Sequence, residues 1–303
     1  MTPQNKKNAW LAVMLGATVL STYLLMVMGT FVTSTGSGLA CPDWPLCYGT
    51  VAPPLEMSIW FEWGHRLLGG ISGILMVLST IFVWRMYRGL PRVLMLGVLA
   101  FLGFGVLLGG LTVLVEAPLL ESFSHVLIIS SHLVIATLVL TFLVFTLGYM
   151  ANRRSVGNAG LYKLIFGAVY LQVLIGILVR YSGATLACPD FPACNGAAVP
   201  DFTHYTVALQ FGHRVVALAV FLIAAVALSR AMRSGEGAFD AAIIFALVVF
   251  QAFFGAAVVL SGMFLPFIIL HAANGFLLLG YLAYRIVPHL FSAPVDGAAR
   301  EAL

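Results

Sequence analysis

The sequence predicts an all-α integral membrane protein. Eight transmembrane helices would form two tandem four-helix bundles related by a parallel pseudo-two-fold repeat, with both termini cytoplasmic. Three observations carry this. First, 61% of the 303 residues are hydrophobic and only 9% are charged, whereas a soluble domain has about 25% charged residues. Second, eight apolar runs each approach or exceed the roughly 20 residues needed to cross the hydrocarbon core. Third, a long pattern of residues appears twice.

The runs are placed at 10–32, 58–84, 91–115, 123–150, 161–181, 203–229, 238–260 and 264–287. The first follows Lys6 and Lys7 and has the outline of a signal peptide. It is too long for one, and no small-residue cleavage site follows it directly. "GLAC" at 38–41 looks like a lipoprotein cleavage box, but its echo at 185–188 argues for another meaning. The second run carries Glu62, His65 and Arg66, and the fourth carries His125 and His132. The sixth carries Gln210, His213 and Arg214, and the eighth carries His271.

Lys and Arg orient these runs. Lys6, Lys7, Arg85, Arg88, Arg92, Arg153, Arg154, Lys163, Arg230, Arg233, Arg285 and Arg300 fall at one set of helix ends, and only Arg180 lies near the other. By the positive-inside rule the first set is cytoplasmic. The loops 33–57, 116–122, 182–202 and 261–263 then face outward, and so do all four cysteines, where disulfides persist. The net charge of +4 would suit nucleic acid, but the basic residues are scattered through short loops and form no patch. Membrane lipid is the expected surrounding partner.

The repeat covers most of the chain. "GSGLACPDWPLCYG" (Gly36–Gly49) and "GATLACPDFPACNG" (Gly183–Gly196) agree at nine of fourteen positions, at an offset of 147. "FEWGHRLLG" (61–69) matches "LQFGHRVVA" (209–217), and "LLGGLTVL" (107–114) matches "FFGAAVVL" (253–260). "SSHLVIATLVL" (130–140) matches "ILHAANGFLLL" (269–279) at an offset of 139, the outer loop "VEAPLLESF" being trimmed in the second half. An even repeat keeps both halves in one orientation, with the axis along the membrane normal. The halves are divided at 1–152 and 153–303, each a four-helix bundle.

An ionisable residue inside a membrane helix is by default a functional hypothesis. His65, His132, His213 and His271 lie on the second, fourth, sixth and eighth runs, each about seven to ten residues in from the outer end. This puts four imidazoles about 10–15 Å deep, two in each half. Zinc needs three or four ligands, usually close in sequence. Two imidazoles on facing helices in a Gly-rich apolar setting suit a heme with two axial histidines. Arg66 and Arg214, each following a histidine, are candidate partners for heme propionates. Gly69, Gly70 and Gly73 would let flat rings approach the backbone, and equally fit small-residue helix packing. His125 competes with His132 from two turns away; the repeat favours His132, because it aligns with His271 while Phe264 answers His125. His204 and His289 stand at helix ends and suit interfacial roles. The halves differ at one position that bears on chemistry: Glu62, three residues before His65, is answered by Gln210. A carboxylate there either pairs locally, for instance with Arg66, or marks the first half as the reacting one.

The motifs "GSGLACPDWPLC", "FEWGHR" and "QFGHR", with a histidine on each of the fourth and eighth runs, resemble the heme A synthase family over nearly the whole chain. The resemblance implies a heme-dependent oxidoreductase for which heme O is substrate and heme A product, the C8 methyl being oxidised to formyl in two hydroxylations to serve cytochrome oxidase assembly. It implies that His65 and His132 bracket the substrate heme in the first half, that His213 and His271 ligate heme b in the second, and that Glu62 acts at the methyl. An anionic Glu62 could stabilise positive charge on the ring and methyl carbon or accept a proton. The cysteine pairs Cys41–Cys47 and Cys188–Cys194 each enclose two prolines and an aspartate, so bonding within each loop is the natural pairing. The other two connectivities require the loops to touch. Such disulfides serve either as static staples or as reversible pairs.

The alternative function is a diheme bis-His cytochrome that passes electrons from quinol without modifying heme. A transporter of parallel repeats would need helices broken near the midplane, whereas Pro266 and Pro288 lie at span ends. The family implies contact with the enzyme that supplies heme O and with cytochrome oxidase assembly factors. The electron donor is unknown, and Gly-rich helix faces allow a homo-oligomer. With no transit peptide visible, the expected location is the cell inner (cytoplasmic) membrane, with the cysteine loops periplasmic.

Overall fold

The computed structural model describes residues 3–114, 123–151 and 157–291. Among these the chain is helical, with no named strand: α1 (Pro3–Ser34), α2 (Met57–Met86), α3 (Leu90–Leu114), α4 (Phe123–Met150), α5 (Ala159–Tyr181), α6 (Tyr205–Ser234), α7 (Ala238–Leu260) and α8 (Leu265–Leu290). All eight are long and apolar enough to cross a membrane, as the apolar runs predict. The helices overrun those runs where the ends turn polar. α1 begins before Lys6 and Lys7 rather than after them, because lysine is a good helix former while hydropathy marks only the part that suits lipid. α2 and α6 have 30 residues each, hence about 45 Å, longer than a ~30 Å core.

The ends have local causes. Asn158 caps α5 by accepting the Leu161 amide at 3.0 Å. Gly235, with φ of 76°, ends α6 in the left-handed region. Pro266 opens α8 from its first turn, where its missing N–H costs nothing. Arg153, Arg154, Arg300 and the loop 116–122 lie outside the described residues.

α1 to α4 close into a ring in which each helix packs on the next and α4 returns to α1; α5 to α8 close in the same way. The rings meet where α8 packs on α1 and α4, and α4 on α5. A buried core runs through this seam, from Leu140, Val144 and Phe145 of α4 to Phe276, Ala283 and Ile286 of α8. Polar contacts cross it too. The Tyr23 hydroxyl donates to the Ala273 carbonyl at 3.2 Å, and the Tyr170 and Thr137 hydroxyls lie 3.3 Å apart. At the opposite end of the second ring from its disulfide loop, Asp240 accepts from Tyr281 at 2.6 Å and pairs with the buried Arg285, so the buried guanidinium has its counter-charge. Large apolar side chains such as Val13, Ile74, Phe104, Leu218 and Phe253 remain exposed, which suits a lipid-facing surface.

Candidate functional site

Two disulfide loops cover the same end of the molecule, one over each ring. Cys41 bonds Cys47 and Cys188 bonds Cys194, all four fully buried, so the pairing is within each loop. Each loop closes on its aspartate. Asp43 accepts the Tyr48 and Gly49 amides at 2.6 and 2.7 Å, and Asp190 accepts those of Asn195 and Gly196 at 2.7 and 2.8 Å. Tyr48, Gly49, Asn195 and Gly196 all have φ between 56° and 76°, the geometry that turns their amides toward one carboxylate. Those amides, chiefly Gly49 and Gly196, hold Asp43 and Asp190 below the ordinary carboxylate range.

Each loop is fastened to the helix behind it by the arginine that follows a histidine. Arg66 donates to the carbonyls of Cys41, Asp43 and Leu46. Arg214 donates to the carbonyls of Cys188, at 2.7 Å, and Ala193, and its guanidinium lies over the Phe191 ring. Glu62 adds a second fastening in the first half alone. It is buried, its Oε2 accepts the Cys41 amide at 2.7 Å, and its Oε1 pairs with Arg66 one turn away. Gln210, equally buried, instead donates to the Thr185 carbonyl at 3.1 Å and leaves its own Oε1 without a partner.

Below the loops, each of the four histidines is seated on a glycine of the preceding helix. A methyl group placed on Gly29 of α1 would come within 3.0 Å of His65 Cε1. On Gly109 of α3 it would lie 3.2 Å from His132, on Gly176 of α5 3.0 Å from His213, and on Gly255 of α7 3.0 Å from His271. His65 and His132 lie within electrostatic reach of each other, as do His213 and His271, so the imidazoles are paired within a half. Two rings are oriented by carbonyls one turn before their glycine: His132 Nδ1 donates to Gly105 at 2.9 Å, and His271 Nδ1 to Gln251 at 3.2 Å. A carbonyl only accepts, so Nδ1 carries the proton and Nε2 holds the lone pair, the arrangement usual for metal-bound histidine; in His271 that lone pair faces the Gln251 amide, 3.2 Å away. His65 is turned the same way, toward the Leu25 carbonyl one turn before Gly29, but its Nδ1 falls short of a well-formed hydrogen bond. His213 meets the Gln172 amide, whose Nε2 is 3.1 Å from either ring nitrogen. Among the described residues no three of His, Cys, Asp and Glu gather as a metal-binding group, so the site offers pairs of imidazoles and nothing like a zinc cage.

The glycines that matter here differ from those read first in the sequence. Gly69, Gly70 and Gly73 have no histidine within 4 Å. Gly29 and Gly109 recur as Gly176 and Gly255 at offsets of 147 and 146, a signal present in the repeat that local spacing does not single out. The side chain of His125 lies outside the described residues. His204 stands just before α6, and His289 stacks on Tyr162 with ring centroids 5.4 Å apart.

A family model described as cytochrome oxidase assembly protein, COX15-CtaA, matches residues 12–283. Over 283 residues the chain is 32% identical to a protein named heme A synthase from Bacillus licheniformis, covering 89% of this chain and 93% of that one. Over 294 residues it is 34% identical to one of the same name from Bacillus mycoides, covering 92% of each.

Proposed function

This chain belongs to the COX15-CtaA family of cytochrome oxidase assembly proteins, and from that premise we propose that it oxidises the C8 methyl of heme O to a formyl group in two successive hydroxylations, giving heme A. The observation that carries this reading is the inequality of two otherwise matched halves. Each has a pair of glycine-seated histidines under a disulfide loop, and only one has a buried carboxylate, Glu62, three residues from its first histidine.

In this reading His65 and His132 hold substrate heme O and product heme A in the half formed by residues 1–152. His213 and His271 ligate heme b in the half formed by 153–303. The residues fit such a group once two flexible amides turn aside. His271 holds its lone pair on Nε2, with Nδ1 tied to a carbonyl. The Gln251 and Gln172 side chains that now meet the His271 and His213 nitrogens would swing away for the iron, while Gly176 and Gly255 leave room for both rings at the backbone. Heme b, when bound, supplies one-electron redox chemistry. Glu62 acts at the methyl group, either stabilising positive charge that develops there or taking up a proton as oxygen is introduced. Arg66 and Arg214 serve as propionate partners at the pocket mouths while they fasten the loops. The matched loops, glycine seats and rings of helices support an origin by duplication with a pseudo-two-fold axis along the membrane normal. The Lys and Arg distribution supports both termini in the cytoplasm and the disulfide loops on the periplasmic side of the inner membrane. Association with the heme O supplier, with cytochrome oxidase assembly factors, with an electron donor or with a second copy belongs to the same proposal.

The four equivalent histidine seats would serve a diheme electron-transfer cytochrome equally well, so the identity of the hemes decides. Mass analysis of hemes extracted from the purified protein is expected to find heme b together with heme O or heme A. Heme b alone, filling both sites, would favour the cytochrome; a protein without heme would exclude both.

The glycine seats make a further prediction. A methyl at position 255 lies closer to His271 than the ~3.5–4.0 Å of a normal carbon contact, and such overpacking costs about 1–3 kcal/mol. Gly255→Ala is expected to reduce heme b per chain roughly tenfold and leave the first-half heme in place. Full heme b occupancy would show that the seat is not needed.

A further inference from the structure

We propose that the side chains one turn beyond the histidines, on the side away from the disulfide loops, decide which heme each half accepts. Leu25, Gly105 and Ile135 form an apolar, side-chain-poor floor that admits heme O; Gln172, Gln251 and Asn274 form an amide floor that restricts the second half to heme b. This deepens the proposed function and rests on it.

The two floors occupy matching places. Leu25 and Gln172 each stand four residues before a seating glycine, at an offset of 147, and Gly105 and Gln251 do the same at an offset of 146. Ile135 and Asn274 each stand three residues after the second histidine of their half. The contacts match as well. The backbone carbonyls of Gly105 and Gln251 each accept from the histidine of the next helix. Ile135 Cγ2 packs 3.5 Å from where a side chain at Gly105 would begin, and Asn274 donates to Gln251 Oε1 at 2.7 Å. One arrangement is thus built from hydrocarbon and a missing side chain in one half, and from hydrogen-bonded amides in the other.

These amides lie against the imidazoles. Gln251 Nε2 is 3.2 Å from His271 Nε2, the nitrogen not tied to a carbonyl. Gln172 Nε2 donates to the His213 carbonyl at 3.0 Å. Gly275 makes room for the Gln251 side chain, which would meet a methyl there at 3.0 Å. Heme O differs from heme b in carrying a hydroxyethylfarnesyl chain in place of a vinyl group. Gly105 puts no side chain into the volume that a glutamine would take, and what borders it is the Ile135 methyl, hydrocarbon that suits an apolar tail. Beside Gln251 that volume is filled, and a hydrocarbon chain pressed in would leave buried amide groups without partners. A site that penalises a ligand in this way discriminates far better than one that only loses a hydrophobic contact.

Because an amide pair bridging α7 and α8 also holds those helices together, the test reads which heme is bound and not only how much. Gly105→Gln in the full-length protein is expected to lower heme O plus heme A at least tenfold while heme b stays near one per chain, the second site reporting that the chain is folded. An unchanged heme O and heme A content would overturn the proposal. In the converse test, His65→Ala/His132→Ala leaves only the second site. Adding Gln251→Gly and Asn274→Ile to it is expected to raise the ratio of heme O to heme b at least tenfold. Retention of heme b alone by that protein would overturn the proposal while leaving the proposed function standing. If the unaltered protein holds no heme, the proposed function fails first and this inference with it.

Discussion

Glu62→Gln is expected to lower heme A formation by about 100-fold or more while both hemes stay bound. The magnitude is that of removing one charge-stabilising or proton-accepting group from a reacting site. The structure also says why the variant should fold. Glu62 accepts at both oxygens, from the Cys41 amide and from Arg66, and a glutamine cannot accept at its NH2. The second half shows the solution, since Gln210 turns its amide to the Thr185 carbonyl beneath an intact disulfide loop. The position matching Thr185 in the first half is Gly38, whose carbonyl can accept in the same way. Heme content and the Cys41–Cys47 bond are measured alongside formyl production. Normal heme A yield with both hemes present would remove Glu62 from the reaction and leave it as the fastening of its loop. Loss of the first-half heme together with activity would make it a binding residue.

His271→Ala is expected to reduce heme b at least tenfold and to change heme O plus heme A in the first half by less than twofold. A heme with two axial imidazoles loses one of its two protein bonds to iron, and Gly255, which seats the missing ring, supplies no replacement. The result is not guaranteed by symmetry, because α8 is shared. It packs on α1 and α4 as well as on α5 and α7, and Tyr23 of α1 donates to the carbonyl two residues beyond His271. Comparable losses from both halves, read by mass analysis of extracted hemes, would show that the seam couples the sites and that the halves do not bind independently. Formyl production in this variant separates the roles further: it should fall even with substrate bound, since redox chemistry is assigned to the second half.

Much of this was legible in one dimension. Eight spans could be placed because a bilayer demands about 20 apolar residues whatever their neighbours are, and α3, α4, α5 and α7 fall within a few residues of the apolar runs. His65, His132, His213 and His271 stood out because a polar ring is conspicuous inside such a run, and the repeat paired them. Pairing of Cys41 with Cys47 and of Cys188 with Cys194 followed once each loop was seen to be short and turn-forming. His125 against His132 was arbitrated by the repeat alone.

The remainder depended on which helix faces meet. Gly29 lies against His65 across two helices and a loop, and nothing in the spacing of either helix announces the contact. The glycines read first, Gly69, Gly70 and Gly73, share the helix of His65 and so cannot lie across from it. Arg66 read as a candidate partner for a propionate or for Glu62; the fold pairs it with Glu62 and also turns it onto three loop carbonyls. Glu62 against Gln210 was visible as a difference, but its bond to the Cys41 amide was not, because that amide reaches helix α2 only after the loop has closed. One dimension was enough for the eight apolar helices, the repeated motifs and the identity of the polar groups, since those follow from local composition and repetition. Which glycine seats which imidazole and what holds the loops down waited on the fold, since these are contacts of a few ångströms between segments that the chain keeps far apart.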